Sequence, residues 1–241
     1  MDTIKINSGS TLMVAHRGLS GLERENTCPA FVAAGNRSYY GVETDVHKTA
    51  DGQFVIIHDE TTKRVSLETV DINVEENPYS AVKDIVLPDK DGSFNRQDIR
   101  IPLLTDYIKI CKKYDKKCVL ELKNEFEKAD IEKIVEEIRE LDYLENVIFI
   151  SFKLNNCIIL RSLIAENDIQ WLTSEVTDEI VETLKKEKLN LDVKYLSLTK
   201  EIIDMLHAEG IKVNCWTCDD KEAAEQLAGW GVDFITTNIL E

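Results

Sequence analysis

The sequence has no run of apolar residues near the ~20 that a membrane-spanning helix needs. Its first residues, MDTIKINSGST, lack the cationic start and long apolar stretch of a signal peptide. No stable membrane insertion is expected, and a cytoplasmic protein is. Basic charge is short as well: 29 Lys and Arg against 45 Asp and Glu give a formal net charge of −16. Such a chain offers no general attraction to nucleic acid or to an anionic membrane, so any phosphate it handles must be held by a local basic pocket or a metal. No GxGxxG or P-loop opens a helical segment, which weakens any nucleotide-binding reading. Cysteines number six (Cys28, Cys111, Cys118, Cys157, Cys215, Cys218), and most of them fall in strand- or helix-like stretches where a thiol packs as a small hydrophobe. The CWTC of 215–218 has the spacing of a redox or zinc half-site, but no second CxxC or His pair accompanies it.

What is present is an ordinary globular composition, 43% hydrophobic and 31% charged, with no low-complexity tract. A length of 241 residues suits one α/β barrel or two small domains, and a single domain over 1–241 is the expectation. TLMVAHRG (11–18) reads as a buried strand, and PAFVAAGN (29–36) as a helix entered through Asn26 and Thr27. YGVETDVHKT and QFVIIHD, separated by Asp51-Gly52, read as a β-hairpin. Residues 60–101 carry Pro78, Pro88 and a second Asp-Gly without a sustained period, as an insertion would. Helices and strands then alternate to the end, the later strands being KKCVLELK, NVIFISF, IQWLTS, VKYLSL (193–198), IKVNCWT and VDFITT. Apolar strands separated by amphipathic helices imply parallel pairing through crossovers. A TIM (β/α)8 barrel fits if the second hairpin arm is an addition to the eight staves, with a doubly wound open sheet as the alternative.

In a barrel, functional side chains gather at the carboxyl ends of strands. His16 and Arg17 close the first strand, Glu43 and Asp45 lie on the second, His58 and Asp59 end the hairpin, and Glu121 and Lys123 end KKCVLELK. A two-residue Asp51-Gly52 turn would set Asp45 opposite His58, and alternation puts Glu43 on the face of Asp45. Glu43, Asp45 and Glu121 form an all-oxygen set suited to a hard divalent cation such as Mg²⁺ or Ca²⁺. Three buried acids without a cation would repel one another. His16 and His58 are then candidate general acid and base, while Arg17 could fork onto phosphate oxygens and Lys123 offer a point charge. His47 and His207 suit exposed or structural roles, and Glu25 is a weaker site candidate that could hold Arg17 or touch the metal.

With AHRG (15–18), ENT (25–27), the ExD inside GVETDVHKTADGQFVIIHD (41–59), LELK (120–123), SF (151–152), CWT (215–217) and GVDFITT (231–237) in that order, the sequence resembles the glycerophosphodiester phosphodiesterases. The resemblance implies a TIM barrel with a small insertion after the HD motif. It further implies His16 and His58 as the catalytic pair, Glu43, Asp45 and Glu121 as metal ligands, Arg17 and Lys123 as phosphate contacts, and Trp216 in the substrate pocket. The expected reaction is metal-dependent hydrolysis of a small-molecule glycerophosphodiester to glycerol 3-phosphate and an alcohol. ERENT in place of PENT, IPLLTDY in place of PTL, and TTNILE at the end depart from the usual pattern and bear on the leaving group. A phospholipase D- or C-like action on lysophospholipids or another phosphodiester, and a non-catalytic phosphate-binding barrel, are the rival readings.

Overall fold

Strands flanked by crossover helices can only pair in parallel, and once the sheet is long enough its twist lets the two edges meet. The computed structural model describes residues 2–241. Its elements are β1 (Leu12–Ala15), α1 (Cys28–Gly35), β2 (Gly41–Lys48), β3 (Phe54–Ile56), α2 (Leu104–Lys113), β4 (Lys117–Leu122), α3 (Lys128–Glu140), β5 (Val147–Ser151) and α4 (Leu154–Leu163). They continue with β6 (Ile169–Thr173), α5 (Asp178–Glu187), β7 (Asn190–Lys194), α6 (Lys200–Ala208), β8 (Val213–Trp216), α7 (Lys221–Trp230) and β9 (Phe234–Thr237). The sheet runs β1-β9-β8-β7-β6-β5-β4-β2, and a parallel β1–β2 pairing closes it into an eight-stranded barrel. β3 is the ninth strand, added antiparallel on β2 outside the staves. The architecture is therefore the TIM barrel.

Four of the seven α-helices begin where a side chain takes up a free backbone N–H. Thr27, Thr177, Thr199 and Asp220 accept from Ala30, Ile180, Ile202 and Ala223 at the starts of α1, α5, α6 and α7. The helix that begins at Cys28 is thus capped by Thr27, not by Asn26, whose side chain is engaged elsewhere. The main core lies between strands and helices, and a smaller cluster of Val14, Val119, Ile148, Ile150, Leu172 and Phe234 fills the barrel interior. The segment between β3 and α2 has a short 3-10 turn at Tyr79–Ala81, bridges Thr61–Asn73 and Val86–Arg100 within itself, and a bridge from Leu103 back to Val55. Its Val65, Val74, Val82, Leu87, Ile99 and Ile101 pack on Val55 and Ile57 as a separate apolar cluster.

Two local expectations are corrected. The hairpin pairs Val46 with Ile56 and Lys48 with Phe54, one residue away from the expected register. Its loop has three residues, not two: Gly52 N–H reaches Thr49 O at 2.9 Å, and Thr49 N–H reaches Gln53 O at 2.9 Å. Asp45 therefore meets Ile57 across the ladder, through Ile57 N–H to Asp45 O at 3.1 Å, and His58 emerges beyond it. The seventh stave is Asn190–Lys194, not 193–198. Tyr195–Ser197 forms a 3-10 turn between this stave and Thr199, the cap of α6, so the apolar residues of 195–198 belong to the connection and not to the strand.

All six cysteines are free, and burial pushes the Cys218 thiol up to about 11, so CWTC presents no thiolate. Among the described residues, no helix is long and apolar enough to cross a membrane. At the hairpin tip, Gly52 has φ +81° and open space around its missing Cβ. A Gly52→Ala change should therefore cost only the left-handed backbone, about 1–2 kcal/mol. Urea melts should show a lower midpoint with an unchanged slope; an unchanged midpoint would contradict this turn.

Candidate active site

The site begins where β1 ends. His16 N–H still bonds to Thr237 O of β9 at 2.8 Å, but Arg17 (φ 52°) and Gly18 (φ +73°) turn the chain through the left-handed region. A Cβ at Gly18 would stand 2.7 Å from the Ala30 backbone, so the turn can press against α1 only with glycine there. The same turn aims the Arg17 backbone N–H at Glu43 Oε2, 2.7 Å away. Asn26 is the second residue held left-handed here (φ 55°). Its N–H meets Arg17 O at 2.9 Å, its Nδ2 donates to Asp45 Oδ2 at 2.7 Å, and its Oδ1 accepts from Thr44 Oγ1 at 2.7 Å. Backbone strain of this kind persists where surrounding contacts enforce it, commonly at functional sites.

The structure brings Glu43, Asp45 and Glu121 together. All are buried, and one oxygen from each lies within 4.8 Å of the others; among the described residues this is the one group of acids, histidines or cysteines able to hold a metal. The β2–β4 register, which pairs Asp45 with Glu121, puts both on the inward row with Glu43. Lys123 Nζ donates to Glu121 Oε1 at 2.9 Å and lies 3.4 Å from Asp45 Oδ1; Arg17 Nε is 3.5 Å from Asp45 Oδ2. Burial and the charges of Asp45 and Glu121 push the Glu43 carboxyl well above its ordinary value. Burial and Asp45 raise Glu121 to about 7. Asp45 goes the other way: burial would raise it, but Lys123 and Arg17 together hold it down. Clustered, desolvated carboxylates with two acids held above the usual range could hold a hard divalent cation.

Both candidate histidines border the same cavity, of about 120 Å³, with Arg17, Glu43, Glu121, Lys123 and Trp216. Asn238 Nδ2 donates to Asp219 Oδ2 at 2.5 Å, which turns Asn238 Oδ1 toward His16 Nδ1 at 2.8 Å. His16 Nδ1 is thereby the donor, and Nε2, 4.0 Å from Glu43 Oε2, is left as an acceptor. Burial and the Arg17 charge lower the His16 pKa to about 4, so the ring is neutral at pH 7. His58 Nδ1 faces Asp59 Oδ1 at 2.6 Å, and burial followed by the Arg17 and Lys123 charges lowers its pKa against the pull of Asp45. Trp216 stands edge-on to Phe152, ring centroids 5.5 Å apart, and its indole Nε1 is buried without a hydrogen-bond partner.

Glu25 takes the first of its two expected roles. It accepts from Arg17 NH1 at 2.9 Å and from both terminal nitrogens of Arg64, at 2.9 and 2.8 Å. Arg64 Nε also donates to Asp59 Oδ2 at 2.6 Å, so a chain of ion pairs runs from Arg17 through Glu25, Arg64 and Asp59 to His58. His47 is structural and buried: its Nδ1 meets Glu75 at 2.7 Å and its Nε2 the His58 carbonyl at 3.1 Å. His207 is partly exposed and pairs with Asp233 at 2.8 Å, away from the site. Sequence reasoning missed Asn26 as a support of Asp45, Arg64 and Asn238, and it missed Asp192, which borders the cavity from β7. The departure at TTNILE was the one available signal for Asn238; Asp192 was hidden by the misplaced strand.

The family model described as "Glycerophosphoryl diester phosphodiesterase family" matches residues 16–241. A protein of Caldanaerobacter subterraneus subsp. tengcongensis named glycerophosphodiester phosphodiesterase is 29% identical over 95% of this chain and 94% of its own length. One of the same name from Bacillus altitudinis is 27% identical over 95% and 94%. The crystal structure of a glycerophosphodiester phosphodiesterase from Parabacteroides distasonis superposes with a TM-score of 0.79, at 25% identity, covering 95% of this chain and 93% of the other.

Protons and a cation compete for the raised carboxyls, so Ca²⁺ titrations should release protons at pH 7 and tighten from pH 6 to pH 8. In the metal-free protein, a raised Glu43 carboxyl makes the fold lose stability as pH climbs above the unfolded carboxylate range. Glu43→Gln should remove part of that loss, melting higher than the parent at pH 8 and no higher at pH 4. A pH-independent calcium affinity would contradict the assignment.

Proposed function

Since the chain belongs to the glycerophosphoryl diester phosphodiesterase family and is a phosphodiesterase of that kind, we propose that it hydrolyses glycerophosphodiesters to sn-glycerol 3-phosphate and an alcohol, with Mg²⁺ or Ca²⁺ as cofactor. The observation that carries the reading is the meeting of two Nδ1-anchored imidazoles, three buried carboxylates, Arg17 and Lys123 around one cavity. A cation held by Glu43, Asp45 and Glu121 would draw charge from the phosphoryl oxygens. Arg17 and Lys123 orient the phosphate and share its charge, the larger part of what phosphoryl transfer asks of a protein.

His16, neutral and with Nε2 free, takes the proton of the attacking hydroxyl, either of water or of the substrate's own glycerol C2. His58, whose imidazolium form the Asp59 carboxylate stabilises, protonates the leaving alcohol. Trp216 lines the glycerol side. One catalytic domain spans 1–241, with 60–101 as an insertion whose Arg64 steadies the leaving-group end. Six free thiols, five of them buried, agree with a cytoplasmic setting. A second reading, action on lysophospholipids, is favoured by Phe94 and Leu67, large apolar side chains exposed on the insertion.

Glycerophosphocholine, glycerophosphoethanolamine and a lysophospholipid, each incubated with Mg²⁺, Ca²⁺ or EDTA, separate these readings by product. Glycerol 3-phosphate should form from the soluble diesters only with metal. His16→Ala and His58→Ala should each lower kcat/KM by about 10²–10⁴-fold. Product in EDTA, or product surviving both substitutions, would refute the mechanism.

A further inference from the structure

The cavity has two unlike walls. His16, Arg17, Glu43, His58, Glu121 and Lys123 supply one, where a phosphate diester belongs; Ile150, Phe152, Leu172 and Trp216 make the other largely apolar. Asp192 interrupts the apolar wall. Its register partners are Leu172 on β6 and Asn214 on β8, which sets it on the inward row of the barrel. It is 1% exposed, it borders the cavity, and its Oδ1 has no hydrogen-bond partner. On the neighbouring strand, two residues nearer the carboxyl end by register, Trp216 presents a second orphan on this wall, a buried indole N–H.

A carboxyl that packs without a partner weakens the fold, and an apolar side chain of similar size would suit this wall better. Folding does not explain Asp192, and its place on the cavity wall points to a ligand. We infer that Asp192 is a specificity-determining residue that hydrogen-bonds a free hydroxyl of the glycerol half of the substrate, an inference that rests on the glycerophosphodiester reading above. The carbon skeleton lies on Leu172, Ile150 and the Trp216 ring, and the hydroxyl completes the carboxyl. Burial followed by the Glu121 charge raises the Asp192 carboxyl well above the usual range, which equips it to donate as well as accept. An alcohol or phosphate ester lacking that hydroxyl leaves the carboxyl unpaired, and sites of this kind discriminate strongly against such analogues.

The test compares sn-glycerol 3-phosphate with ethyl phosphate, which has the phosphate and no hydroxyl, by calorimetric titration of the Ca²⁺-loaded protein, with melting curves in parallel. The parent should prefer glycerol 3-phosphate by about tenfold or more. Asp192→Leu and Asp192→Ala should lose that preference, Asp192→Leu with a melting temperature equal to or above the parent's, and Asp192→Asn should keep most of it. If Asp192→Leu fails to fold, Asp192→Ala carries the comparison. Equal binding of the two esters by the parent overturns the inference. So does a preference that survives in the Leu and Ala variants, or one that vanishes only together with a fall in melting temperature that Asn does not rescue. Hydrolysis of glycerophosphoethanolamine, assayed on the same samples, reads the reaction separately. Turnover with an intact preference in Asp192→Leu sinks the inference alone, and a preference lost in the variants of a protein without turnover sinks the reaction alone.

Discussion

Three carboxylates buried within 4.8 Å of one another constrain the rest of this molecule. Like charges in a desolvated space repel strongly, and the protein answers with two cations, a raised pair of acids and a shell of donors. Arg17 contributes twice, through its guanidinium near Asp45 and through a backbone N–H to Glu43 that exists because Arg17 accepts a left-handed conformation. Asn26 accepts the same strain to reach Asp45. The two non-glycine residues bent this way around the acids are thus both explained by the acids they serve.

The histidines are held by longer chains of contact. His16 is oriented from the last loop, through Asn238 and Asp219, and His58 from the insertion, through Asp59 and Arg64. Arg64 and Arg17 share Glu25, so the segment between β3 and α2 is coupled to the Arg17 side of the cavity. A change in that segment can therefore reach His58 without touching the barrel. Both rings have Nδ1 engaged, which fixes the tautomer of each.

Local rules made much of this readable in advance. Glu43 and Asp45 share a face because strands alternate, and His16, Glu121 and His58 lie near strand ends, where barrel sites form. Position along the chain is less legible than pattern. A three-residue loop looked like a two-residue Asp-Gly turn, and NLDVKYLSL carries apolar residues through both the strand and the turn after it, so the stave could slide by three positions without breaking the pattern. The second slip concealed Asp192.

By itself the sequence determined the order of elements, the shared face of Glu43 and Asp45, and the motif residues of the site, because each follows from periodicity or from neighbours a few positions apart. The tertiary structure decided which partner each group meets. Asn26 was free to cap a helix and instead holds Asp45, 19 residues away; Asn238 finds His16 across 222 residues only because β9 closes on β1. Such pairings depend on barrel closure and on competition among polar groups for a few buried partners. Neither leaves a period in the sequence.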